Sequence, residues 1–105
     1  MPRASVVVQQ CGIGTLAQGL RAAEPLLAVP FAHDQPDNAY RAQRLGVARI
    51  VPPARYRARR VAEELARLTR DPSYREAAAR VAAVVRAEDG VRAACDAIER
   101  TFPPR

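Results

Sequence analysis

Three short apolar runs, each leading into a turn and then a segment of helical spacing, constrain this chain more than any other feature. Ser5-Val6-Val7-Val8-Gln9 is β-branched and suits a strand buried on both faces. It leads into Gln10-Cys11-Gly12-Ile13-Gly14-Thr15, a glycine-bearing turn, and then into Leu16 to Ala23, where Leu16 and Leu20 are spaced one helical turn apart. Glu24-Pro25 closes that helix, because proline disfavours helical geometry in the residue before it. Leu26 to Val29 is a second strand closed by Pro30, and Phe31 to Gln35 is a loop. Pro36 opens a helix that runs to about Leu45, with Gly46 as its left-handed stop. Val47 to Val51 is a third strand, closed by Pro52-Pro53.

Beyond it the pattern is helical only. Val61, Leu65 and Leu68 share one face. Asp71-Pro72 starts a further helix with Ala77, Val81, Val84 and Val85 inward and Asp89-Gly90 as its stop. Val91, Ala94, Cys95 and Ile98 mark a last helix, ended by Pro103-Pro104. The order βαβαβ followed by three helices predicts an α/β fold: a partial Rossmann-like three-layer domain of about three parallel strands with flanking helices and a helical C-terminal tail. At 105 residues it is read as one domain, spanning residues 1–105.

Composition excludes several classes. With 49% hydrophobic and 27% charged residues the chain is neither disordered nor fibrous. It contains no stretch of about 18 apolar residues, so no membrane-spanning helix is expected. The N-terminal apolar run is too short for a secretory signal, which makes the cytoplasm the expected compartment. Cys11 and Cys95 lie far apart without a ligand partner nearby, and His33 is the single histidine, so neither a disulfide nor a metal site is expected. The net charge of +6, carried by 17 arginines, favours anionic partners.

Chemistry concentrates at two strand ends. A buried strand, a Gly-x-Gly turn and a helix start make an anion site, because the first helical N–H groups lack partners and the helix dipole is positive there. Gly12 and Gly14 permit close approach of a phosphate, and Thr15 adds a hydroxyl. The competing reading is that these glycines serve turn geometry alone. At the second strand end, Asp34 and Gln35 suit a polyol, since a carboxylate accepts from hydroxyls while an amide both donates and accepts. Ligands of open α/β sheets bind at the carboxyl ends of strands. The competing reading is that Asp34 or Gln35 caps the helix Pro36 begins.

Taken together, Gln10-Cys11-Gly12-Ile13-Gly14-Thr15, Pro25, Val29-Pro30-Phe31, Asp34-Gln35-Pro36, Leu45-Gly46-Val47, Asp71-Pro72 and Glu88-Asp89-Gly90 resemble the C-terminal, nucleotide-sugar-binding half of GT-B glycosyltransferases of the bacterial natural-product and sterol type. The likeness extends from about Ser5 to Phe102, and the step from Gln18 to Asp34 agrees with the family's spacing between ribose and sugar contacts. The resemblance implies that Gln10, Gly12, Gly14 and Thr15 hold the diphosphate of a UDP- or dTDP-sugar, that Gln18 meets the ribose, and that Asp34 and Gln35 bind the transferred sugar. It implies no metal or other cofactor, and inverting transfer of a hexose or deoxyhexose to a hydroxyl of a lipophilic acceptor.

The chain departs from the family in two respects. Where the family commonly carries His, at Gln9 or Gln10, it has an amide, which forgoes a charge-assisted hydrogen bond of about 1.5–3 kcal/mol. Position 11, usually Gly in the bacterial group, is Cys, read as a packed small residue rather than a reactive thiol. The acceptor domain and its catalytic base are outside these residues, so no catalytic residue is assigned here. Met1-Pro2-Arg3-Ala4 reads as an internal stretch of a longer protein. The expected partners are a nucleotide sugar and either the missing acceptor-domain half or a second chain meeting an open sheet edge. Two other functions are weighed beside this one. An inactive remnant could serve as an assembly piece. A basic nucleic-acid module would need arginines interleaved with aromatic platforms, and with two Phe, three Tyr and no Trp these are poor, so no nucleic-acid partner is expected.

Overall fold

The structure, a computed structural model, describes residues 4–104. Met1, Pro2 and Arg3 of the opening stretch lie outside the described residues. The elements run β1 (Val7–Gln9), α1 (Ile13–Arg21), β2 (Leu26–Ala28), α2 (Gln35–Arg44), β3 (Ala48–Ile50), a 3-10 turn (Pro53–Arg55), α3 (Ala58–Arg70), α4 (Pro72–Ala87) and α5 (Gly90–Thr101). The strands form one parallel sheet in the order β1-β2-β3, with Val7 opposite Leu26 and Leu26 opposite Ala48. The expected α/β architecture is present, with each strand shortened at its ends to the residues that pair.

Alternation along β2 builds two cores. Leu26 and Ala28 face Cys11, Leu16, Ala39, Ala42, Val47, Ala48, Ala77 and Ala78, beneath α1, α2 and α4. Leu27 faces Val51 and Leu68, with Val6, Val61, Leu65 and Tyr74 at the margin, beneath α3. The central strand is therefore buried on both faces, as parallel strands between helices require. All strand carboxyl ends point to one edge, and that edge carries the turn after β1 and the loop after β2.

Helix ends follow local chemistry. Gly46 has φ +81°, the left-handed stop expected after α2. Asp71 caps α4 by accepting from the Ser73 backbone N–H at 2.9 Å, which holds its carboxyl below the usual range. Two expectations are corrected. Gly90 does not stop α4, which ends at Ala87; it is the first residue of α5, and Asp89 caps that helix by accepting from Arg92 N–H at 3.0 Å. Val84 does not point inward: α4 packs through Ala77, Ala78 and Ala82, whose small side chains let the helix approach closely, and Val84 is left 62% exposed. No residue of α5 is buried, and its apolar face, including Val91 and Ile98, is uncovered.

Away from the strand-end edge, Glu64 is buried on α3 and is held by Arg49 from β3 and by Arg60 at 3.3 Å. Arg49 also donates to the Tyr74 hydroxyl at 2.9 Å. The Arg49 guanidinium holds the Glu64 carboxyl below the ordinary carboxylate range, against the opposing effect of burial. An open cleft of about 700 Å³ adjoins this network, lined by Arg49, Arg67, Arg70 and Tyr74 among others. It does not include the turn after β1 or the loop after β2.

Candidate functional site

The turn after β1 begins with strain. Cys11 is fully buried with φ 70°, a left-handed conformation uncommon for a residue with a side chain. Burial pushes its thiol up to about 11, so it stays protonated and packed at neutral pH. Gly12 follows as the N-cap of α1 with φ −58° and ψ 146°. No side chain caps this helix, and its first turn holds no acidic residue. The first intrahelical bond runs from Leu16 N–H to the Gly12 carbonyl at 2.8 Å. The N–H groups of Ile13, Gly14 and Thr15 thus precede the helical ladder and face outward at the positive end of the dipole.

The two glycines of the turn differ from Gly19, further along α1. A Cβ at Gly14 would meet nothing within 4 Å, and one at Gly12 would meet only the Gln10 amide nitrogen, at 3.6 Å. At Gly19 a Cβ would come within 2.7 Å of Gln9 Nε2 and 2.9 Å of Leu26 Cδ2. Gly19 is therefore needed for packing, whereas Gly14 leaves open space over the helix start. The Gln10 side chain lies beside the turn, with its amide nitrogen near Gly12. Its neighbour Gln9 is buried beneath α1, with Nε2 3.4 Å from the Thr15 carbonyl and Oε1 without a partner. Thr15 is half-buried in the first turn, and Gln18 is exposed one turn further along.

The second strand end converges on the same place. Asp34 precedes α2, but its side chain makes no cap hydrogen bond, which removes the simple capping explanation for it. Its carboxylate instead accepts from Asn38 Nδ2 at 2.9 Å. The same Nδ2 donates to the Cys11 carbonyl at 3.0 Å. Asp34 therefore stands beside the turn, one amide away from its strained residue. Gln35 is partly committed: its Oε1 accepts from the backbone N–H of Phe31 at 2.9 Å and of Ala32 at 3.3 Å. A ligand could use only its N–H donors, not the two-way amide the sequence led us to expect. His33 is exposed with φ 59°, a second left-handed residue at this edge.

Asn38 is the site residue that sequence reasoning missed; there it only completed the first turn of a helix. Its spacing of four from Asp34 was the available signal, since residues four apart share a helix face. Its contact across to Cys11 had no local signature.

A parallel sheet with an uncapped helix start and a carboxylate at its carboxyl edge is the arrangement at which open α/β domains bind anionic ligands. Residues 1–93 match the glycosyltransferase family 28 C-terminal domain, and the chain belongs to that family as a C-terminal portion of a GT-B glycosyltransferase. The chain is 40% identical over 100 residues to O-mycaminosyltylonolide 6-deoxyallosyltransferase of Streptomyces fradiae, covering 94% of this chain and 24% of that relative. Among solved structures, the glycotransferase of kitacinnamycin superimposes with a TM-score of 0.89 at 33% identity, over 97% of this chain and 26% of that one. The glycosyltransferase VinC in complex with dTDP gives a TM-score of 0.87 at 25% identity, over 95% and 25%. The chain thus spans about a quarter of the length of the relatives it matches. Among the described residues no helix is long and apolar enough to cross a membrane, and no cluster of His, Cys, Asp and Glu could hold a metal ion.

Proposed function

We propose that this chain is the donor-binding portion of an inverting hexosyl- or deoxyhexosyltransferase that takes a dTDP- or UDP-sugar and serves a lipophilic hydroxyl acceptor. The observation that carries this reading is the uncapped start of α1 lying one amide from the Asp34 carboxylate. In it, the N–H groups near Gly12, Gly14 and Thr15, with the Gln10 amide and Thr15 hydroxyl, hold the diphosphate. Gln18 meets the ribose, and Asp34 and the Gln35 N–H group hold sugar hydroxyls. The same donors stabilise charge on the departing diphosphate, so the reading requires neither metal nor other cofactor. Two relatives support it: the Streptomyces fradiae enzyme is a 6-deoxyallosyltransferase, and VinC was solved in complex with dTDP.

The reading places the catalytic base on a segment beyond these residues and makes the chain inactive by itself. The partner would be an acceptor-binding domain, or a second chain meeting β1, whose Val8 is 44% exposed. The compartment in this reading is the cytoplasm.

Calorimetric titration of the 105-residue chain with dTDP, UDP and thymidine tests the reading. Saturable binding of the diphosphates but not of thymidine is expected. Asp34→Ala should weaken dTDP-glucose while leaving dTDP itself little changed. No saturable heat with either diphosphate would overturn the proposal.

A further inference from the structure

We propose that Asn38 is a positioning residue that locks the sugar-facing carboxylate to the diphosphate-facing turn, so that the two halves of the donor site act as one unit. The inference rests on the donor-site reading above and extends it to a residue outside the ligand contacts.

Asn38 lies on α2, half-buried, and its side-chain nitrogen meets two acceptors: the Cys11 carbonyl at 3.0 Å and Asp34 Oδ2 at 2.9 Å. A carbonyl and a carboxylate both require a donor, so the chemistry itself assigns the nitrogen rather than the amide oxygen to this place. The primary amide has two N–H groups, and each serves one acceptor. Neither a hydroxyl nor a carboxylate could do the same: the first has one donor and the second none.

Each end of this bridge controls a different group. Cys11 sits at φ 70°, a conformation that needs outside support. Fixing its carbonyl fixes the plane of the Cys11–Gly12 peptide and with it the opposite direction of the Gly12 N–H, because a trans peptide points the two apart. Asp34 lies in an exposed loop, where a free carboxylate would sample several rotamers. The Asn38 bond selects one of them. The backbone reinforces the geometry, since Asn38 N–H donates to the Asp34 carbonyl at 3.0 Å. A ligand that tightens the turn therefore presses on Asp34 through a single rigid amide, and one that grips Asp34 presses on the turn.

Two measurements test this. In the ligand-free chain, Asp34→Ala should displace the Gly12 backbone amide resonance in an NMR spectrum, and in an Asn38→Ala background the same change should leave Gly12 where it was. A Gly12 resonance indifferent to Asp34, or displaced equally in both backgrounds, overturns the link. In titrations, Asn38→Ala should weaken dTDP-glucose about tenfold more than dTDP, and that excess should vanish once Asp34 is already Ala. Asn38→Asp, which sets a carboxylate against two acceptors, should be worse than Ala for both ligands. Equal losses for sugar nucleotide and nucleotide in both backgrounds would reduce Asn38 to a general structural role and overturn the proposal. If the native chain binds no diphosphate, the donor-site reading fails, while the resonance comparison still decides whether Asn38 couples the two loops.

Discussion

Replacing Gly14 with Val separates the stability of α1 from the function assigned to its first turn. Nothing lies within 4 Å of a Cβ at position 14, so the added side chain of Gly14→Val points into open space. Valine is a better helix former than glycine by about 0.3–0.5 kcal/mol. For a domain near 100 residues this raises the melting temperature by about 1–3 °C. The isopropyl group would occupy the open space over the free N–H groups and hold a diphosphate away from them. Loss of two charge-assisted hydrogen bonds at about 1.5–3 kcal/mol each removes at least about 3 kcal/mol, a weakening of more than a hundredfold. The assay pairs a thermal melt with calorimetric titration of dTDP. Gly19→Ala is the contrasting variant, since its Cβ would press on Gln9 Nε2 at 2.7 Å and on the fully buried Leu26. An unchanged dTDP affinity in a normally folded Gly14→Val chain would refute the reasoning, because the ligand could not then be approaching the helix start.

Two further expectations follow from groups outside the site. Glu64→Gln breaks the buried ion pair with Arg49 and should cost about 2–4 kcal/mol, read by chemical denaturation at pH 7. Because the folded Glu64 carboxyl lies below its ordinary value of 4.5, the wild-type advantage should be full above that pH and shrink as pH falls through it; an advantage constant down to pH 3 would contradict the ion-pair account. A thiol reagent at neutral pH should label the exposed Cys95 rapidly and leave Cys11 protected until the chain unfolds, since burial raises the Cys11 thiol to about 11; comparable labelling of both in the native chain would show that the turn is not packed as described.

Much of the architecture was legible along the chain because it is written in local periodicities. The apolar runs near Val7, Leu26 and Val47 and the left-handed Gly46 each act within a few residues, and they point to βαβαβ; the expected stop at Glu24-Pro25 is pre-empted, since α1 ends at Arg21 and the chain turns through a left-handed Ala23. The uncapped start of α1 was legible for the same reason: a glycine at the N-cap brings no side chain to the free N–H groups. What local patterning could not decide was which face of a late helix finds a partner. Val84 and Val85 look equally inward on paper, yet the close approach of α4 through Ala77, Ala78 and Ala82 leaves Val84 in solvent. Gly90 likewise has the composition of a helix stop, but the cap at Asp89 makes it a helix start. The pairing of Asn38 with Cys11, and of Arg49 with Glu64 and Tyr74, belongs to the tertiary structure entirely. These side chains are separated by many residues, and only the stacking of helices on a common sheet brings a donor and an acceptor within hydrogen-bonding distance.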